Sequence, residues 1–146
     1  MKKILLILGL SAALFGITPN QIYETANRHC KSPATITAIS CIESTYGKHK
    51  LGDHGTSFGV MQIKTGTARW ASNLYPAQLG WIHKCSDKQL QNILLKNDQL
   101  NIMIGSLMFN YRQEHYGYKT AVMSHNRVGN YKYYCKVEHI LDKDKR

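Results

Sequence analysis

The chain has 146 residues and a formal net charge of +10, from 19 Lys or Arg and 9 Asp or Glu. This length supports one domain, and a hydrophobic content of 43% excludes wholesale disorder. The basic residues are scattered and form no nucleic-acid-binding motif, so we expect no nucleic-acid partner. The charge fits either an ordinary solvated basic surface or a surface that holds an acidic polymer, such as an anionic cell-wall polymer. Chemistry that needs a carboxylate depends on a short set of residues: Glu24, Glu43, Asp53, Asp87, Asp98, Glu114, Glu138, Asp142 and Asp144.

The N-terminal segment is typical of a secretory signal peptide. Lys2 and Lys3 precede an apolar run, residues 4–15, that is shorter than the roughly 20 residues of a membrane-spanning helix. We therefore expect a signal peptide over residues 1–17, a single domain over residues 18–141 and a charged tail over residues 142–146. The expected location is the periplasm or the cell surface, without a stable membrane span.

The first half of the domain contains two helix-start signals. Thr18-Pro19 and Ser32-Pro33 each combine an N-cap residue with Pro at the first helical position. They predict one helix to about His29 and a second to about Tyr46, where Gly47 serves as the stop.

The middle of the chain alternates between loops and a helix. The polar residues 48–57 predict a loop or a small hairpin, and a third helix is expected from near Val60 to about Asn73. Residues 76–87 are interpreted as a loop with Trp81 as its anchor.

The strongest helical pattern lies in the second half of the chain. Apolar side chains recur at i, i+3, i+4, i+7, i+8 and i+11, at Leu100, Met103, Ile104, Leu107, Met108 and Tyr111. We interpret this stripe as the central core helix. A shorter helix over about residues 119–125 and a Tyr-rich segment close a predicted α-rich α+β domain with a small loop or hairpin lobe.

All four cysteines follow the signal segment. An even number of cysteines in an exported chain predicts two disulfides among Cys30, Cys41, Cys85 and Cys135, with three pairings open. Because no pair has CxxC spacing and the seven His are dispersed, we expect no metal and no cofactor.

Glu43 lies at the end of the apolar stripe of the second helix. It follows Ile36 by seven residues and Ile39 by four, so we expect its side chain to project from the inward-facing stripe. Burial and the negative end of the helix dipole both raise the pKa of a carboxyl group. A Glu that is protonated near neutral pH suits general-acid cleavage of a glycosidic bond. The alternative is a Glu paired with a surface Lys or Arg.

A second motif, residues 57–63 with the sequence Ser-Phe-Gly-Val-Met-Gln-Ile, follows the predicted hairpin. Gly59 lets a polymer approach the backbone, Met61 offers an adaptable apolar wall, and Gln62 supplies an amide donor and acceptor. This set suits a sugar that carries an amide, and an ordinary helix start is the alternative.

These motifs occur in the order found in lytic transglycosylases: Glu43-Ser44, residues 59–63, residues 101–111 and residues 121–129. Over about residues 32–134, the chain resembles the small single-domain members with the soluble-lytic-transglycosylase domain. The resemblance implies a lysozyme-like fold and cleavage, without water, of the bond between N-acetylmuramic acid and N-acetylglucosamine in peptidoglycan. The product carries a 1,6-anhydro end.

Carried over residue by residue, the resemblance makes Glu43 the only catalytic residue and Ser44 a neighbour that helps to position the substrate. Gly59, Met61 and Gln62 match the family's cleft-lining motif. We expect a monomer that acts on the glycan strands of peptidoglycan.

The third motif departs from the family pattern. The family usually has Ala-Tyr-Asn where this chain has Ser124-His125-Asn126. Asn126 matches the pattern, and His125 takes the place of an aromatic hydroxyl near the catalytic Glu. A His there can still hydrogen-bond a carboxyl group, but it becomes charged at mildly acidic pH.

Two other functions stay open. A lysozyme-type hydrolase would use Asp53 as a second carboxylate beside Glu43. The alternative explanation of Asp53 is a turn former beside two glycines. A cell-wall-binding protein without turnover would explain His125 and the basic surface. Among transglycosylases, small members with a signal often open the wall for secretion, conjugation or pilus machines, so such an apparatus is an expected partner.

Overall fold

The computed structural model describes residues 16–126 and 129–145. The predicted signal peptide therefore lies outside the described residues, except for its last two positions. Within the described part, the chain is α-rich with one small sheet, which confirms the α-rich α+β class. The elements are α1 (Pro19–Asn27), α2 (Pro33–Ser44), β1 (Leu51–Gly52), β2 (Ser57–Phe58), α3 (Thr65–Leu74), α4 (Pro76–Leu79), α5 (Asp87–Lys96), α6 (Asp98–Tyr116), α7 (Tyr118–Asn126) and α8 (Tyr131–Asp144).

Helix α1 begins where its cap signal predicts. The Thr18 hydroxyl accepts the Gln21 backbone N–H at 3.2 Å, and the Gln21 side chain accepts the Thr18 backbone N–H at 2.9 Å. This reciprocal capping box satisfies two N–H groups that otherwise have no partner at a helix start.

Helix α2 begins at Pro33 as predicted, but it ends at Ser44 and not near Tyr46. Thr45 adopts a left-handed conformation, with φ of 51°, and its N–H donates a hydrogen bond to the Cys41 carbonyl. This early stop leaves Glu43 in the last turn of the helix, next to the loop that follows it.

The predicted hairpin is present, whereas the predicted start of the third helix is wrong. Strands β1 and β2 pair antiparallel, with Leu51 opposite Phe58. Residues 59–63 form a turn, because Phe58 and Ile63 exchange two backbone hydrogen bonds of 3.1 and 2.9 Å. Helix α3 consequently begins only at Thr65.

The central helix is confirmed as α6, which packs against α1, α2, α3, α5 and α7. Its middle turns are buried on several sides, and its first turn includes a buried polar residue, Asn101, with 0% exposure. Such a residue must be hydrogen-bonded inside the protein, because burial of an unpaired amide is costly.

The segment after α3, predicted as a loop, has regular secondary structure. It forms α4 and a 3-10 turn over residues 80–84, and Leu79 and Ile82 are fully buried. Trp81, the expected anchor, is 41% exposed, so that expectation is wrong. The two apolar neighbours face the core instead.

Besides α4, two further helices, α5 and α8, were not predicted from the sequence. Helix α5 starts with a capping box between Ser86 and Gln89, and α8 starts where the Asn130 side chain accepts the Tyr133 backbone N–H at 3.1 Å. Helix α8 continues to Asp144, so the expected charged tail is helical over its described residues up to that point.

All four cysteines are free thiols in the structure, so neither of the two expected disulfides is formed. No helix in the described ranges combines the length and apolarity needed to cross a bilayer.

Candidate active site

A cleft of about 790 Å³ runs past the end of α2, the hairpin and the middle of α6. Among the predicted site residues, Glu43, Asp53, Gln62, His125 and Asn126 line this cleft. A larger groove of about 1680 Å³ lies between α1 and the residues around the α5–α6 junction, and it contains none of them.

Glu43 is half-buried and opens onto the cleft. Its Oε1 accepts a hydrogen bond of 2.6 Å from the Tyr133 hydroxyl. Burial raises the pKa of the Glu43 carboxyl, the bond from Tyr133 opposes this rise, and the negative charge of Asp53 adds to it. In the described part of the chain no Lys or Arg forms an ion pair with Glu43, so its interpretation as a surface-paired Glu is wrong.

Tyr133 is buried, on the first turn of α8, and was not anticipated as a site residue. Burial raises the pKa of its phenol well above the usual range, and the adjacent Glu43 carboxylate raises it further. Tyr133 is therefore a neutral hydrogen-bond donor to Glu43. The hydroxyl that contacts Glu43 therefore comes from position 133, whereas position 125 carries a His.

His125 does not occupy the role expected from its place in the motif. Its Nε2 lies 3.3 Å from the Met61 carbonyl oxygen, which can only accept, so Nε2 carries the proton. Its ring lies nearly parallel to that of Tyr133, with centroids 6.3 Å apart. Burial and the nearby positive charge of Arg112 lower the pKa of His125 to about 4, so the ring is neutral at pH 7.

Ser44 is a structural residue and does not line the cleft. It is 1% exposed, and its hydroxyl lies 2.7 Å from the Val60 carbonyl and 3.2 Å from the Ser40 carbonyl. The same oxygen accepts the Gly47 N–H at 2.8 Å. Ser44 therefore joins the end of α2 to the turn at residues 59–63, and the expected substrate contact is not available to it.

The turn at residues 59–63 is held from beneath by Asn101 of α6. The Asn101 Oδ1 accepts the Met61 N–H at 2.7 Å, and its Nδ2 donates to the carbonyls of Phe58 at 2.8 Å and Leu94 at 3.1 Å. One buried amide thus uses its acceptor and both of its donors to connect three segments.

Gly59 and Met61 form the layer under the cleft and do not contact its space. Gly59 has φ of 79°, and a Cβ there would collide with the Asn101 amide and the Leu94 carbonyl. Met61 is fully buried against Gly105 of α6. The glycine is therefore required by packing within the protein, and the approach of a polymer is not the reason for it.

Gln62 reaches the cleft because the turn places it there in a left-handed conformation, with φ of 50°. Its Nε2 donates to the Gly59 carbonyl at 2.9 Å and to the His49 carbonyl at 3.3 Å. Both amide hydrogens are therefore engaged within the protein, and its Oε1 lies close against the backbone of Gly52.

Asp53 lines the same cleft from the segment between the two hairpin strands. Its side chain is 63% exposed, forms an ion pair of 3.1 Å with Lys64 and accepts the Ser57 hydroxyl at 2.9 Å. The turn-former interpretation holds for its backbone, since Asp53 and His54 both have positive φ. The cleft nevertheless contains two carboxylates.

Asn126 is exposed at the end of α7, where its Oδ1 accepts the Asn130 amide at 3.0 Å. Asn130, Thr67, Ser124 and Arg112 also line the cleft, and none of the four was singled out from the sequence. Together they give the walls a polar character that suits hydroxyl and amide groups of a sugar.

Fold and site together define an α-rich domain with a half-buried acid in a polar cleft. No family model, no curated protein and no solved structure matches the chain.

Proposed function

We propose that this chain is a peptidoglycan lytic transglycosylase with a lysozyme-like fold, in which Glu43 acts as the single catalytic acid and base. The observation that carries the proposal is the Glu43 carboxyl group itself. It opens onto a polar cleft, burial raises its pKa, and its partner is a neutral donor, Tyr133.

A raised pKa is what the first chemical step requires. A general acid must hold its proton at the working pH and release it to the leaving oxygen of the glycosidic bond. An ion pair with Lys or Arg would favour the ionised form, and Glu43 has none within residues 16–126 and 129–145. Since Tyr133 donates to Oε1, the other oxygen of Glu43 remains for the transferred proton.

In the proposed reaction, Glu43 protonates the glycosidic oxygen, and the bond to C1 of N-acetylmuramic acid breaks. The N-acetyl group of the same sugar stabilises the cation. The Glu43 carboxylate then takes the proton of the C6 hydroxyl, whose oxygen bonds to C1. The proton given in the first step is recovered in the second, no water is consumed, and the product is a 1,6-anhydro ring.

The proposed reaction uses Glu43 first as an acid and then as a base, and its surroundings favour each form in part. Burial favours the protonated acid, while the hydrogen bond from Tyr133 favours the carboxylate that accepts the second proton. The carboxyl group is thus balanced between donating and accepting, as a group that does both must be.

One observation favours a second candidate, a lysozyme-type hydrolase. Asp53 lines the same cleft and is near enough for its charge to raise the pKa of Glu43. Glycosidases that use water need two carboxylates at the scissile bond, and this cleft contains two. In that reaction, Asp53 would act on C1 or on a water molecule while Glu43 serves as the acid.

The product mass separates these candidates. The mature protein, purified after export of the full chain, is incubated with purified sacculi, and the released fragments are weighed. Anhydro ends support the transglycosylase, whereas ends heavier by one water support the hydrolase. Binding to sacculi without any released fragment would support a wall-binding protein without turnover.

Glu43→Gln keeps the shape and the Tyr133 contact of the side chain but removes its acid. We expect it to lower the rate of fragment release by about a thousandfold and to retain sacculus binding. Glu24→Gln is the matched control, because Glu24 is exposed in the groove beside α1 and away from the cleft. If both variants were as active as the wild type, Glu43 would not be the acid.

The same proposal locates the mature protein in the periplasm or at the cell surface, as a monomer on glycan strands. Local opening of the wall for a secretion or conjugation apparatus is the role that we propose for it there. Fractionation of cells that express the full chain should recover it outside the cytoplasm, and cross-linking in those cells should recover components of such an apparatus.

A further inference from the structure

Arg112 extends the candidate site along helix α6. Gly105, Met108 and Arg112 follow one another at i, i+3 and i+7 on this helix, and all three line the cleft. The wall of the cleft that α6 forms therefore carries a cationic group.

Arg112 has no carboxylate partner among the described residues. The other cleft cation, Lys64, is paired with Asp53 at 3.1 Å, and the remaining ion pairs involve other side chains. Arg112 is half-buried, and burial lowers the pKa of its guanidinium. A partly desolvated cation without a counter-charge gains more from an arriving anion than an exposed cation does.

Trp70 of α3 holds the guanidinium in place. The Arg112 guanidinium carbon lies 5.8 Å from the centre of the Trp70 ring, and Tyr111 contacts the same indole edge-on at 5.6 Å. A guanidinium attracted to an aromatic face by a cation–π interaction still has N–H groups at its edge that can donate to a ligand. That edge has the geometry for two parallel hydrogen bonds to a carboxylate.

We propose that Arg112, held by Trp70, binds a carboxylate borne by the glycan, so that it selects acidic glycan strands over neutral ones. This inference rests on the proposed function, because it concerns ligands of the same cleft. In peptidoglycan the carboxylate has two sources: the stem peptides, or the lactyl group of N-acetylmuramic acid where no peptide is attached. Chitin oligosaccharides have the same N-acetylated sugars and no carboxylate.

The test measures binding in the Glu43→Gln background, so that no ligand is consumed. Three ligands are compared at pH 7.5, where His125 is neutral: glycan strands with stem peptides, strands whose peptides were removed by an amidase, and chitin oligosaccharides. We expect Arg112→Gln to weaken binding of the carboxylate-bearing strands about tenfold and to leave chitin binding within about threefold. Whether the loss appears with peptide-bearing strands or with stripped strands identifies the source of the carboxylate.

Two further variants serve as references. Arg28→Gln removes the same charge from an exposed position outside the cleft, and it should change no affinity by more than about twofold. Arg112→Lys keeps the charge without the planar fork, and it should retain part of the preference.

Each other outcome overturns the inference. An equal loss for all three ligands would make Arg112 a purely structural residue, and no loss would show that it binds no carboxylate. If the Glu43→Gln chain bound none of the glycans, the proposed function would fail together with this inference. Binding of glycans without dependence on Arg112 overturns this inference alone.

Discussion

The cleft contains two carboxylates, one on α2 and one on the hairpin, and their surroundings differ. Glu43 is half-buried in the last turn of a helix, and a buried tyrosine donates to it at 2.6 Å. Asp53 stands on a short hairpin, 63% exposed, with Lys64 as its ion-pair partner. Their neighbours therefore distinguish two side chains of the same chemical class.

The supports beneath the two carboxylates differ as well. Behind Glu43, Ser44 and Asn101 connect α2, the turn at residues 59–63 and α6 through buried hydrogen bonds. The hairpin around Asp53 has two strands of two residues each and exposed side chains at its tip. A group that must deliver a proton to a fixed atom benefits from the first kind of support, because small displacements reduce proton transfer sharply.

The largest effect is expected for the stability of the protein, when the two supports are compared by substituting one glycine in each. Gly59 and Gly55 both have positive φ, of 79° and 87°, but only Gly59 is enclosed. Gly59→Ala should lower the free energy of unfolding by about 4 kcal/mol, because a methyl group would displace Asn101 and break its bonds. Gly55→Ala should cost about 1 kcal/mol, from backbone strain alone. Urea unfolding measures both, and equal losses would contradict the contrast.

The next effect concerns pH and His125, on the Glu43 side. Its pKa is lowered to about 4 in the folded protein, so the unfolded chain binds a proton first as the pH falls from about 6.5. This contribution to stability is present above about pH 6.5 and is lost as the pH falls toward 4. His125→Gln should remove about 1 to 2 kcal/mol of the difference between unfolding free energies at pH 7 and pH 4.5.

The matched control for that measurement is His139→Gln, at an exposed position of α8. It should leave the unfolding free energy at pH 7 within about 0.5 kcal/mol of the wild type, as a surface substitution does. The same slope for His125→Gln as for the wild type would mean that the His125 ring titrates as it does in the unfolded chain.

A smaller effect should follow from Tyr133→Phe, which removes the donor to Glu43 and keeps the ring. Because that hydrogen bond lowers the pKa of Glu43, its loss should raise this pKa further. We expect the alkaline limb of the pH–rate profile on sacculi to move to higher pH and the maximal rate to fall about tenfold. Tyr134→Phe, one residue along α8, should change neither the alkaline limb nor the maximal rate. If the alkaline limb of Tyr133→Phe stayed in place, the Tyr133 hydroxyl would have no influence on the pKa of the catalytic acid.

The smallest effect should come from Asp53→Asn, if the single-acid proposal is right. The substitution removes the exposed ion pair with Lys64, which contributes little to stability, and the rate on sacculi should stay within about threefold. A loss of rate of a hundredfold or more, with product ends heavier by one water, would instead show that Asp53 and Glu43 act together in hydrolysis.

Local signals in the sequence were sufficient for several elements. The two Pro-headed helices, the hairpin and α6 depend on caps, turn residues and apolar periodicity, which act over a few residues. The start of α3 was misplaced because residues 59–63 are apolar enough for a helix, yet Gly59 and Gln62 take left-handed conformations that Asn101 enforces from another part of the chain.

Helix α8 carried a signal that was overlooked. Asn130 is a good N-cap, and Tyr133, Val137 and Leu141 recur at i, i+4 and i+8, which predicts a helix with Tyr133 on its inner face. The contact of Tyr133 with Glu43 is a different matter. It joins residues 90 positions apart, and no local pattern encodes which tyrosine meets which carboxyl group.

Of the residues that the sequence motif predicts for the candidate site, some line the cleft and others do not. Glu43, Gln62 and Asn126 do line the cleft, whereas Ser44, Gly59 and Met61 hold it from beneath. A motif of this kind mixes residues needed by a ligand with residues needed by packing. Only burial and hydrogen-bond partners separate the two groups.

The bond between Tyr133 and Glu43 also sets the order in which the site is assembled during biosynthesis. Glu43 leaves the ribosome long before Tyr133, which lies on the last helix described. An unfinished chain that lacks α8 therefore has Glu43 without its hydrogen-bond donor. The pair can form only after α8 has been synthesised and has packed against α2.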